Sequence, residues 1–165
     1  MNLNELGGGT IQDFQKYYFN KGLPDWAFDG KKFNPNNEKD FSKSKVKDIV
    51  WRAGSLDLNP KSGGLWFSET KKGVEDFAMS VRREKREGKP YRINLENPLH
   101  MDAFWHGYVN QAERYSDRGA FMRDLMSSGY DGIIIDEDTW NDTGDEYSVR
   151  SIQYVVFDPD NVKPV

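Results

Sequence analysis

An arginine near the end of an apolar strand and close to a glycine can hold phosphate, and Arg52-Ala53-Gly54, following Asp48-Ile49-Val50-Trp51, supplies that combination. The planar guanidinium presents a fork of donors to a diphosphate, and the glycine lets a ligand approach the backbone closely. An arginine paired with a neighbouring carboxylate is the plainer alternative at this position. A second pattern is Trp66-Phe67-Ser68. Strand alternation sends Trp66 and Ser68 to one face and Phe67 to the other. A ring beside a small hydroxyl suits a flat heteroaromatic ligand, and it suits ordinary core packing equally well.

Other groups point away from their own chemistry. Asp136, Glu137, Asp138, Asp142, Asp145 and Glu146 crowd one stretch but lack the regular ligand series, mid-loop glycine and closing glutamate of an EF-hand, so a solvated acidic loop is expected. His100 and His106 are the only imidazoles, and neither has a serine or metal-ligand partner at a recognisable spacing. With no cysteine there is no disulfide, thiolate nucleophile or cysteine-ligated zinc, which suits a reducing cytoplasm. A net charge of -4 argues against a general nucleic-acid binder. No apolar run approaches the roughly 18–20 residues of a bilayer span, and Met1 opens onto Asn, Glu and Gly instead of a basic and then apolar leader, so neither membrane insertion nor export is expected.

The elements that must position these residues can be read from period and punctuation. At 165 residues the chain makes one compact unit, divided here into an N-terminal extension over 1–47 and a main body over 48–165. The extension carries Gly7-Gly8-Gly9, a helix capped by Thr10 with Ile11, Phe14, Tyr17 and Tyr18 at helical spacing, and a polar stretch through Asn34 to Lys47. In the body, strands are predicted over 48–54, 65–68, 91–95, 133–135 and 153–157, the last of these as the final strand. Thr70 starts a helix with Val74, Phe77, Ala78 and Val81 on its apolar face, ending at Gly88 and Pro90. Its outer face is the basic run Arg82, Arg83, Lys85 and Arg86, either solvated or in contact with an acidic partner. Arg118 to Ser128 makes a second helix with Gly129 at its C-terminal cap, and Asn97-Pro98 is expected to close a strand. An exposed loop over 136–150 precedes the last strand. The class is α+β.

The order and spacing of five segments resemble the ADP-ribosyltransferase fold. They are most similar to the small domains of phage polyvalent and virion-associated proteins and other mobile elements. The segments are Val50-Trp51-Arg52-Ala53-Gly54, Gly64-Leu65-Trp66-Phe67-Ser68, Tyr91 through Leu99, Gly129-Tyr130-Asp131-Gly132-Ile133-Ile134, and Gln153 through Pro159. The likeness covers residues 48–163. It implies a split, strongly bent mixed sheet with NAD in its cleft. Arg52 would hold the NAD phosphate or ribose, Ala53 and Gly54 would line the nicotinamide amide, and Ser68 would order the site. Trp66 or Phe67, with Phe77, would wall the nicotinamide. The family's catalytic glutamate falls at Gln153, and Glu146 would be the carboxylate able to replace it. The implied activity is NAD-dependent transfer of ADP-ribose to a host protein in the host cytoplasm, without metal. The alternatives are a degenerate fold that binds and inhibits a host defence protein, and an NAD glycohydrolase.

Overall fold

The computed structural model describes residues 22–102, 107–141 and 149–165. A short helix, α1 (Trp26–Asp29), precedes β1 (Val50–Arg52), and a 3-10 turn at Pro60–Ser62 leads into β2 (Leu65–Ser68). Helix α2 (Lys71–Phe77) continues as a π-helical turn over Ala78–Arg82. Strands β3 (Lys89–Ile93) and β4 (Pro98–Met101), helices α3 (Tyr108–Ala112) and α4 (Arg118–Ser127), and strands β5 (Gly132–Asn141), β6 (Val149–Val156) and β7 (Val162–Pro164) follow. The strands form one mixed sheet ordered β4-β5-β6-β2-β1-β3-β7, in which only the β4–β5 pairing is parallel. The described residues are thus a mixed α+β protein with few helices.

Alternation along the strands divides the core in two. Ile133, Ile135 and Val155 face a cluster completed by Tyr108, Phe121, Met122 and Phe157, beneath α4. Leu65, Phe67, Tyr91, Ile93 and Val156 face a second cluster, against which Ile134 also packs. Trp66 packs on the first cluster and Phe67 in the second, as the alternation of β2 requires.

The sheet has one narrow joint. β2 pairs with β6 at four positions and β1 with β3 at three, whereas β1 meets β2 only at Trp51–Ser68. Beyond that pair the two strands part.

Several expectations need correction. Asn97-Pro98 does not close a strand into irregular chain: Pro98 opens β4, an edge strand parallel to β5, where a first-position proline donates no missed ladder bond. A parallel pair needs a crossover, and α3 with α4 lie within it. The loop expected over 136–150 is shortened from both ends. β5 runs on to Asn141 and β6 begins at Val149, paired through Asp138–Ser151 and Thr139–Arg150 with register shifts that absorb extra residues. Gln153 therefore sits within β6, and β7 follows it as the last strand. The helix after Thr70 stops at Arg83, not at Gly88; Arg83, with φ 53°, is the only described non-glycine residue in the left-handed region. The wide π turn takes up an extra residue, so the 3.6-residue period slips and Phe77 and Val81 emerge 42% and 52% exposed.

Of the stretch expected as an extension, residues 22–47 lie along the body. Leu23 and Ala27 are buried, and Lys31 bridges Asp158 and Asp160 at 2.9 Å each. The buried Ser44 hydroxyl donates to the Ile93 carbonyl and accepts from the Leu95 amide. The helix expected from Thr10 lies outside the described residues.

Candidate functional site

Where β1 and β2 part, a cavity of about 600 Å³ opens. β1 and the turn after it supply Arg52, Ala53 and Gly54, and β2 supplies Trp66, Phe67 and Ser68. Gly73, Phe77, Ala78 and Arg82 come from the helix, Gln153 from β6 and Arg118 from the start of α4. All the site residues named from sequence that fall among the described residues therefore line one cavity. Glu146, Phe104, Trp105 and His106 lie outside the described residues, and His100 is exposed on edge strand β4, away from the cavity.

Arg52 fills the gap left by the broken ladder. Its Nη1 donates to the Trp66 carbonyl at 3.0 Å, while Nε and Nη2 donate to the Ser55 carbonyl at 3.0 and 2.7 Å. No carboxylate among the described residues pairs with it, so the plainer reading of this arginine finds no partner there. Its guanidinium lies 5.8 Å from the centre of the Phe67 ring. Burial, and then the nearby charge of Arg82, bring its pKa from 12.5 down to about 10, so it stays charged at neutral pH.

The opposite wall is a hydroxyl network. Ser68 is paired in register with Gln153, and its Oγ lies 2.8 Å from Ser151 Oγ, to which the Gln153 amide nitrogen donates at 2.6 Å. Thr70 caps α2 by accepting from the Gly73 amide at 3.0 Å. Ser68 is only 1% exposed, so it positions the wall without presenting its hydroxyl to a ligand. Gly73 is required above this network: a Cβ there would come 2.4 Å from Ser68 Oγ and 2.9 Å from Ser151 Oγ. Gly73→Ala gains about 0.5–1 kcal/mol of helix propensity but loses about 1–3 kcal/mol to overpacking and the broken serine pair. Urea unfolding should show a net loss; a net gain would mean that the serines rotate away without cost.

The electrostatics are one-sided. Four arginines (Arg52, Arg82, Arg86 and Arg118) line the cavity, and no aspartate or glutamate lines it among the described residues, in a chain whose net charge is -4. Arg86 pairs with Glu84 at 2.5 Å. Arg82 and Arg118 have no carboxylate partner among the described residues. Arg118 lies 5.7 Å from the Trp66 ring centre and 5.8 Å from that of Tyr108. With Trp66 half-buried and Phe77 exposed, the cavity offers a fixed positive field beside aromatic surface. That set fits an anion joined to a flat ring.

Sequence reasoning missed three of the four arginines as cavity residues. Arg82 and Arg86 were expected on a helix's outer face, but the π turn and the left-handed Arg83 bring them round to the cavity. Arg118 gave no signal beyond a helix start after Asp117, whose carboxylate is occupied in capping Ala120.

Tyr108 supports the floor by packing edge-on against Trp66, with ring centres 4.8 Å apart. Its buried hydroxyl has no hydrogen-bond partner among the described residues. Burial pushes its pKa from 10.0 up to about 12. A phenol kept neutral by the fold contributes stability that is complete below pH 10 and lost as pH rises from 10 to about 12. Tyr108→Phe should therefore be more stable than wild type by about 1 kcal/mol at neutral pH, because an unsatisfied buried hydroxyl is removed. Its margin should widen above pH 10, since Arg52 titrates alike in both proteins. Urea unfolding at pH 7 and pH 11 measures both effects, and a destabilised variant would show that the hydroxyl has a partner.

No family model, curated protein or solved structure matches the chain.

Proposed function

We propose that this chain binds NAD in the cavity between β1 and β2 and transfers its ADP-ribose to a host protein, as a phage or mobile-element effector acting in the host cytoplasm. The reading is carried by the cavity lining, in which four arginines stand beside the Trp66 and Phe77 rings with no acidic residue among the described ones. Arg52 and Arg82 fit two linked phosphates, and the Trp66 and Phe77 rings fit a flat ring. The single residue pair joining β1 to β2 supports the split, bent sheet that the resemblance implies.

Arg52 and Arg82 would hold the phosphates, the open backbone at Gly54 would meet the nicotinamide amide, and Trp66 and Phe77 would wall the ring. Bound NAD supplies a glycosidic bond whose electron pair leaves with nicotinamide while the acceptor's nucleophile takes the sugar carbon and releases its proton. Gln153, held by Ser151, keeps an amide oxygen that can accept from a ribose hydroxyl, but it brings no negative charge to the sugar.

That neutrality, with no carboxylate lining the cavity among the described residues, favours a second reading: a degenerate fold that binds a host protein and does not turn over. NAD hydrolysis without a protein acceptor is the third. Incubation with labelled NAD and host lysate separates them. Label on a protein supports transfer; nicotinamide release without label supports hydrolysis; no release, with a stoichiometric partner recovered independently of NAD, supports the binding module and overturns the enzyme.

A further inference from the structure

We infer that the cavity has a second anion subsite, built on Arg118, for a phosphate outside the diphosphate bridge, so that a dinucleotide bearing a ribose 2′-phosphate is preferred to NAD. The inference rests on the reading of the cavity as a dinucleotide site.

The arginines stand in two groups. Arg52 lies over Phe67, the charge of Arg82 reaches it, and a Cβ on Gly54 would come 3.8 Å from Arg86 Nη1. These three lie around the end of β1. Arg118 stands apart: its Cβ would be 2.8 Å from a Cβ on Gly63, and its guanidinium lies over Trp66 and Tyr108. Trp66 and Phe67 are consecutive on β2 and pack into different clusters on its two faces. Arg118 therefore flanks β2 on the side opposite Arg52, and both reach the same cavity because β1 and β2 have parted.

A diphosphate bridge is one compact dianion, and Arg52 and Arg82 at the end of β1 would already meet it, with Arg86 held by Glu84 beside them. Arg118 is left over. It makes no hydrogen bond or ion pair with the described residues, and Asp117 beside it is turned to the Ala120 amide. A guanidinium stacked on rings keeps its donor fork pre-organised, and an arginine is the residue that accommodates a ribose 2′-phosphate in dinucleotide sites. A phosphate carried by the dinucleotide itself needs no second molecule in the same cavity.

Calorimetry with NAD, NADP, AMP and adenosine 2′,5′-bisphosphate, on wild type, Arg118→Ala and Arg118→Lys, tests this. NADP should bind about tenfold tighter than NAD, and the bisphosphate likewise tighter than AMP, for one added charge-assisted contact. Arg118→Ala should abolish both preferences with NAD affinity kept within about twofold, and Arg118→Lys should keep part of them. Urea midpoints of the variants show that each is folded. Equal affinity for NAD and NADP in wild type, or a preference that survives in Arg118→Ala, overturns the subsite while leaving NAD binding intact. A preference for the bisphosphate without binding of either dinucleotide supports the subsite and removes NAD as the ligand; no binding by any probe overturns both.

Discussion

Gln153→Glu should raise the rate of nicotinamide release from NAD by roughly 10²–10³ over wild type, the size of effect expected of one pre-organised electrostatic group. The position is prepared for the exchange. Gln153 lies in register opposite Ser68 on β6, and its side chain is tethered at 2.6 Å to Ser151, whose hydroxyl can turn to donate to a carboxylate as readily as it accepts from an amide. The substitution changes charge with almost no change in volume, so the packing of β6 against β2 and β5 is kept. The arginines lining the cavity favour the ionised carboxylate. Cleavage of the nicotinamide bond builds positive charge on the ribose, which the carboxylate stabilises and the amide does not. Single-turnover nicotinamide release measures the difference. Should Gln153→Glu bind NAD as wild type does yet release nicotinamide no faster, the missing charge is not what limits the site, and the binding-module reading gains.

How much of this was legible in the sequence depended on which signals are local. β2 was readable to the residue, because Gly63-Gly64 ahead of it and Thr70 behind it fix its ends. α4 was readable from its period and from Gly129, and Ile133-Ile134-Ile135 from its two apolar faces. β4 was not, since Pro98 reads as a terminator until a partner strand is known to lie on the side where no donor is required. The extension of β5 and β6 through acidic residues was hidden for a related reason: cross-strand pairing, not propensity, holds Asp138 opposite Ser151. In the site, Arg52, Trp66, Phe67 and Ser68 announced themselves through short strand motifs, whereas Arg82, Arg86 and Arg118 reach the cavity through a π turn and a helix placement that no local pattern encodes.

Arg52→Ala should lower NAD affinity by about 100-fold, and Arg52→Lys by about tenfold, because hydrogen bonds from a charged donor are worth about 1.5–3 kcal/mol each. Arg52 has two duties. Three of its N–H groups are spent on the Ser55 and Trp66 carbonyls, which hold the turn after β1 against β2 where the ladder has ended. One N–H on each terminal nitrogen remains for a ligand. Alanine removes both duties. Its cost in stability is modest, about 1–2 kcal/mol, because Arg52 is half-buried and the freed Ser55 carbonyl is open to water. Lysine keeps the charge but cannot satisfy two carbonyls and a phosphate from one nitrogen. Affinity should therefore fall further than stability, and the binding that remains in Arg52→Ala should depend less on salt than that of wild type, since a cation facing the anionic ligand is lost. Calorimetry at two salt concentrations, beside urea unfolding, reads both duties separately. An Arg52→Ala protein that binds NAD within about twofold of wild type would leave Arg52 as a strut for the parted strands and move recognition of the diphosphate to Arg82.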